Sequence, residues 1–232
     1  TVGVIVAIGK SVISQDYHFV KELKDEAINN SINLKISVVG GIIYYNAEEE
    51  IRNNYFIDAC IKNFTTDDIN RYYLGELDQI NNIIYRKNGE IIITEDKLPE
   101  TGFKIPIPPH NQLPLNQYQL SHGRSKPLTS VLTSYGCPHK CSFCVSGRIN
   151  YRYRDPQNVL EELEYLDSIG VKEITFRDNI FGIHKRITKI LLNGMIRKKF
   201  RFSWVSDSRL DILDEEIINL MALSGCHALH FG

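Results

Sequence analysis

The chain has 232 residues, 43% hydrophobic and 24% charged, with a formal net charge of −1, a globular composition with room for one large domain or two modest ones. So even a charge balance gives nucleic acid or an anionic membrane no footing as a partner, and no apolar run approaches the ~20 residues of a bilayer crossing. No basic n-region followed by an apolar stretch marks export in these residues, and five cysteines, three of them crowded together, do not make a secreted disulfide framework, so a reducing cytoplasm is the expected setting.

The first run, "TVGVIVAI" (1–8), reads as a strand already under way, and "HALHFG" (227–232) reads as another. The sequence is therefore expected to be a fragment of a longer protein. "DYHFVKELKDEAINN" carries Phe19, Val20, Leu23 and Ala27 at helical spacing, which makes His18 a surface histidine. "NLKISVVGG" reads as a buried strand closed by Gly40 and Gly41. A helix is expected from "AEEEIRNNY" (47–55), a strand from "FIDACI" (56–61), and a helix over 65–82 capped by Thr65 or Thr66. "NIIYRKNGEIIIT" is a hairpin turning at Asn88-Gly89. Strand–helix–strand order of this kind predicts a parallel sheet.

Five prolines between Pro99 and Pro114 predict an extended connector, since proline fixes φ and removes backbone donors. Beyond it, "LTSVLTS" (128–134) is a strand, and Pro156 opens a helix ended by Gly170. Strands at 171–178, 201–207 and 226–232 then alternate with helices at 184–200 and 214–225. Four strands with three helices between them suit an open doubly wound sheet or an unfinished β/α barrel. The fold class is α/β, divided into residues 1–96, a connector 97–126, and residues 127–232.

"SYGCPHKCSFCVSG" (134–147) places Cys137, Cys141 and Cys144 in a C-x3-C-x2-C array. A closed zinc site needs a second ligand pair. His122, His139, His184 and Cys226 do not supply one at partner spacing, though a zinc-stabilised binding module is the alternative from another class. Soft thiolates suit iron in a cubane cluster, where three of them would leave the fourth iron open to a substrate or cofactor.

With Phe143 ahead of Cys144, the array resembles the signature of the radical S-adenosylmethionine (SAM) enzymes, and the resemblance covers residues 125–232. It implies a 4Fe–4S cluster on the three cysteines, SAM chelated at the open iron, and reductive cleavage of SAM to start radical chemistry on an unactivated carbon. It implies an electron donor such as flavodoxin or ferredoxin and a small-molecule or natural-product substrate. Phe143 is expected beside the adenine. "ITFRDNIF" (174–181) resembles the F-x-D-D-x-F stretch found where such a domain follows a cobalamin-binding one. Asp178 matches the first acid and Asn179 replaces the second; contact with SAM and an ordinary turn remain equally open readings. Ser206 is a pocket candidate, while Arg209 is expected to pair with Asp211 or Asp207. Cys226 is expected to be structural.

Residues 1–95 resemble, more weakly, the latter part of a cobalamin-binding domain, a flavodoxin-like fold. There Gly40 and Gly41 would let the backbone approach the nucleotide tail of cobalamin; a plain turn is the other reading. "KNFT" replaces the Gly-Glu-Gly-Glu run of relatives, and the cobalt-ligating D-x-H-x-x-G motif is absent. Methyl transfer is expected if cobalamin is retained, and cyclisation or rearrangement if it is not. Cys60, in an apolar strand, is expected to be an inert core residue.

Overall fold

The computed structural model describes residues 2–7, 13–98, 102–120 and 122–232. Thr1 and Ile8 of the first expected strand, and Pro99 at the head of the expected connector, lie outside them. The chain divides into two compact units, Thr1–Glu100 and Thr101–Gly232. Among the described residues no helix is long and apolar enough to cross a membrane.

The front unit runs β1 (Val2–Ala7), α1 (Ile13–Asn29), β2 (Leu34–Val39), α2 (Gly41–Asn53), β3 (Ala59–Ile61), α3 (Asp68–Leu74), β4 (Ile83–Lys87) and β5 (Glu90–Ile93). The sheet order is β1-β2-β3-β4-β5. β1 to β3 are parallel, and β4 and β5 add antiparallel. Ile36 and Val38 are buried against Val20 and Ala27 of α1 and Ile43, Ala47 and Ile51 of α2.

Three expected boundaries shift in this unit. α2 starts at Gly41, ahead of Ala47, but its backbone kinks at Asn46 (φ −123°, ψ 22°), so the helix expected from Ala47 is its second segment and Ile43 lies in a short helical stretch ahead of the kink. The helix expected over 65–82 breaks at Gly75, whose φ of 84° is left-handed, and its N-cap is Asp67. Thr65 is instead bonded to Asn63 Oδ1 through both its N–H and its hydroxyl, at 2.9 and 2.7 Å. The strand expected over 56–61 shortens to Ala59–Ile61. The hairpin turn keeps its expected residues, with positive φ at both Asn88 (51°) and Gly89 (86°), as a type I′ turn requires.

The second unit runs β6 (Leu128–Val131), β7 (Ser134–Tyr135), β8 (Arg152–Tyr153), α4 (Pro156–Ser168), β9 (Glu173–Phe176), α5 (Lys185–Lys198), β10 (Ser203–Ser208), α6 (Glu215–Leu223) and β11 (Cys226–Phe231). Its main sheet is parallel in the order β11-β10-β9-β6. Local signals set the helix ends. Asp155 caps α4 by accepting from Gln157 N and Asn158 N, with Pro156 in the first turn. Gly170 follows with a φ of 81°, and Asp214 caps α6 through Ile217 N. Leu163 and Leu166 of α4, Leu191 and Met195 of α5, and Ile217 and Met221 of α6 share one core with Ile174, Phe176 and Trp204. All three helices therefore cover one face, the arrangement of a β/α barrel wall; a doubly wound sheet carries helices on both.

Side chains alternate along a strand, so Glu173, Thr175 and Asp207 face away from those helices. A register shift between Trp204 and Val205 interrupts the pairing with β11. As a result Cys226 and Leu229 both pack on the core. His227 and His230, also three residues apart, both meet carboxylates of the other face. His227 Nε2 lies 2.9 Å from Glu173 and His230 Nδ1 3.3 Å from Asp207. A bulge re-aims side chains in this way.

From Gly102 onward the proline-rich stretch is built into this unit. Phe103 is buried and bridges to Arg154, and His110 is buried. The strand expected over 128–134 also divides. β6 ends at Val131, and β7 pairs instead with β8 as a short antiparallel ribbon.

Candidate metal centre

β7 and β8 form the neck of a loop, residues 136–151, that carries all three clustered cysteines. Two glycines let it fold back on itself. At Gly136 φ is +79°, and a Cβ would lie 2.3 Å from the Asn150 carbonyl oxygen and 2.5 Å from that of Ile149. At Gly147 a Cβ would lie 2.4 Å from the His139 carbonyl oxygen. Cys137 N–H donates to Ile149 O and Cys144 N–H to Cys141 O, both at 3.0 Å. Cys137 is buried, while Cys141 and Cys144 are half-buried, and all three are free thiols. Phe143, between the last two, is 90% exposed. Among the described residues no three His, Cys, Asp or Glu side chains are drawn together as a bound metal ion would draw them. The donor set nonetheless fits an iron–sulfur cluster: three soft thiols on one loop, with no disulfide between them.

The neck is held from two sides. At the end of β9, Asp178 is 3% exposed. Its Oδ1 accepts from Thr133 N at 2.7 Å and Ser134 N at 3.1 Å, and its Oδ2 from the Ser134 hydroxyl at 2.9 Å and from the Thr133 hydroxyl. Burial pushes this carboxyl up to about 6, against the opposing pull of the four donors. Next to it, Asn179 Nδ2 donates to the Gly136 carbonyl at 3.2 Å. Burial, with the charge of Asp178 adding to it, raises the Tyr151 phenol above its ordinary range.

On the other side stands Arg154, 1% exposed. Its N–H donates to Thr133 O at 2.8 Å, and its guanidinium to Leu132 O, Asn158 Oδ1 and Glu162 Oε2. Glu162 Oε1 meets His110 Nε2 at 2.8 Å, and His110 Nδ1 meets the Thr129 hydroxyl at 3.1 Å. Sequence reasoning missed this network. Its signal was the i, i+4, i+8 spacing of Arg154, Asn158 and Glu162, polar positions running into an apolar helix.

The other candidates are placed as follows. Ser206 is buried, and its hydroxyl donates to Phe176 O at 3.3 Å. Arg209 forms the expected pair with Asp211, Nε to Oδ1 at 2.9 Å and Nη2 to Oδ2 at 2.7 Å. The Asp211 hydrogen bond holds the guanidinium above its ordinary value. Cys226 packs against the core, and burial pushes its thiol up to about 11. Burial likewise pushes Cys60 up to about 12, and His18 is exposed beside Glu22.

In the front unit Gly40 joins β2 to α2 with a φ of 138°, open to few residues but glycine. A Cβ on Gly41, the first residue of α2, would meet nothing within 4 Å.

A one-faced βα repeat with a three-cysteine loop after its first strand defines an iron–sulfur enzyme scaffold. Residues 131–232 match the radical SAM superfamily. The chain is 32% identical over 162 residues to an uncharacterised methyltransferase of Pyrococcus horikoshii, covering 68% of this chain and 35% of that protein. It is 29% identical over 149 residues to the tryptophan 2-C-methyltransferase of Streptomyces laurentii, covering 60% of this chain and 25% of that protein. In fold it is similar to the radical SAM methyltransferase TsrM of Kitasatospora setae, with a TM-score of 0.71 at 19% identity over 99% of this chain and 47% of that one. It is also similar to the cobalamin-dependent SAM radical enzyme OxsB, with a TM-score of 0.71 at 15% identity, over all of this chain and 35% of that one. The chain thus spans about a third or less of the length of these curated relatives. Residues 131–232 carry the match to the radical SAM superfamily, and over the chain as a whole the fold is similar to those of TsrM and OxsB.

Proposed function

We propose that this chain forms the cofactor-binding part of a radical SAM methyltransferase that also uses cobalamin, with residues 1–96 as the cobalamin-binding-like unit and 127–232 as the radical SAM core, the stretch 97–126 between them being packed into the second unit from Gly102 onward. Cys137, Cys141 and Cys144 hold a 4Fe–4S cluster. When bound, the cluster and SAM supply the electron and the cleavable sulfonium that open radical chemistry on an unactivated carbon. The observation that carries this reading is the loop itself: three thiols, closed at the neck and folded back on two obligatory glycines, at the C-terminal end of the first strand of a βα repeat.

The chain's own residues bind and orient. Phe143, exposed at the loop tip, covers the adenine of SAM. Asn179, bonded to Gly136 of the loop, and Arg209, just past the end of β10, would meet the polar end of SAM, while Asp178 and Ser206, both buried, would shape the pocket from behind. Gly40 and Gly41 admit the cobalamin tail against the start of α2. The Pyrococcus and Streptomyces relatives are both named as methyltransferases, and this favours methyl transfer over cyclisation or rearrangement. A flavodoxin or ferredoxin supplies the electron.

The complete gene product, reconstituted anaerobically, is expected to give a reduced 4Fe–4S EPR signal that changes on adding SAM and is lost in Cys141→Ala. Bound zinc with no cluster would establish the zinc-stabilised module instead.

A further inference from the structure

Asp178 stands where the sequence suggested a SAM contact, yet both of its oxygens are taken. Thr133 and Ser134 give it two N–H and two O–H donors, and only 3% of the residue is exposed. Those two residues lead into the neck of the cysteine loop, where Ser134 pairs with Tyr153. From the far side Arg154 holds the same Thr133 through its carbonyl. The neck is therefore fixed by the Asp178 carboxylate on one side and by Arg154 on the other, whose backbone N–H holds Thr133 and whose guanidinium holds Leu132 O. A charged acceptor bonded to consecutive N–H groups is among the stronger local restraints a backbone can have.

We propose that Asp178 is a positioning residue for the cysteine loop: it fixes Thr133 and Ser134 to the end of β9, so that Cys137, Cys141 and Cys144 are offered to the cluster as a preformed set. This rests on the cluster reading above, but it makes a separate claim about the apoprotein. With the neck fixed, cluster assembly orders only the loop tip, and less conformational entropy is lost on binding.

Two substitutions separate position from charge. Asp178→Asn keeps a carbonyl oxygen for the two N–H groups, and its amide donates to hydroxyls that can turn to accept. Asp178→Ala loses all four bonds. Amide hydrogen exchange on the full-length apoprotein is expected to show protection at residues 133–137 and 149–154 falling on the order of tenfold or more in the alanine variant, with α5 and α6 unchanged and the asparagine variant close to wild type. After reconstitution the alanine variant should hold less iron and sulfide per chain and give a broadened EPR signal, and the asparagine variant should match wild type in both.

If the asparagine variant keeps its neck protection but loses the EPR response to SAM, Asp178 acts through its charge on the cofactor, and the positioning role is overturned. Unchanged exchange in Asp178→Ala overturns it as well. If Asp178→Ala does not fold, Thr133→Val removes a single bond and should shift exchange in the same direction by less; no shift there overturns the proposal. Failure of the wild-type protein to take up a cluster would sink the cluster reading while leaving the exchange result standing.

Discussion

His110 and Glu162 meet at 2.8 Å with side chains only 4% and 2% exposed, one from the proline-rich stretch and the other from α4. The second carboxylate oxygen of Glu162 holds Arg154, which in turn holds the neck of the cysteine loop. The contact thus ties the approach to the second unit, its first helix and its metal loop into one buried polar network, whose members are costly to leave half-paired.

Glu162→Ala should accordingly destabilise the second unit by about 3–5 kcal/mol, because it strands a buried guanidinium. Glu162→Gln, which keeps an acceptor for Arg154, should cost less. Trp204 is the chain's single tryptophan and is fully buried in this unit's core. Its fluorescence during urea unfolding reports the midpoint directly.

Gly136→Ala should damage the metal loop while sparing the core. Its Cβ would overlap backbone oxygens of residues 149 and 150, and its left-handed φ disfavours any side chain. We expect native far-UV circular dichroism with iron per chain well below wild type after reconstitution. Full iron loading would show that the neck is more pliant than its geometry indicates.

Asp178 gives stability a pH dependence of defined sign. Its folded carboxyl is raised to about 6 from an ordinary 3.8, chiefly by burial, so between those values the folded state binds more of a proton than the unfolded chain does. The favourable contribution is complete below about pH 4, falls as pH rises through about 6, and changes no further above it. The full swing is on the order of 3 kcal/mol. Unfolding free energy measured from pH 4 to 8, as wild type minus Asp178→Asn, should fall across that window; a difference that is flat or rises would contradict it.

Gly41→Leu is expected to separate folding from cobalamin binding. A Cβ there would meet nothing within 4 Å, and glycine is poor in a helix, so the thermal midpoint should hold or rise slightly. Retention of cobalamin through gel filtration, followed by its visible absorption, should fall. Equal retention by the variant would mean that the glycine pair only turns the chain.

The free thiols should react in an order set by burial. In the apoprotein, iodoacetamide should label Cys141 and Cys144 first and Cys60 last, because Cys60 is fully buried with its thiol pushed up to about 12 and the thiolate is the reactive form. Peptide mass mapping over time reads the order.

The sequence by itself determined the local features. Cysteine spacing, the Asn88-Gly89 turn, the Pro156 start and Gly170 stop of α4, and the alternation of strands and helices each depend on residues a few positions apart, and local sterics and hydrogen bonding decide them. The class of cofactor could be read for the same reason, since three ligands on one short loop need no distant partner to be recognised. Only the tertiary structure decided the rest: that all three helices cover one face, that a bulge turns His227 and His230 the same way, that both oxygens of Asp178 are spent on Thr133 and Ser134, and that His110 meets Glu162 across 52 positions of sequence. Burial and long-range pairing produce these features. A carboxylate in a sequence has the same formula whether it will meet solvent, a cofactor or two backbone N–H groups, and only the packed chain supplies its neighbours.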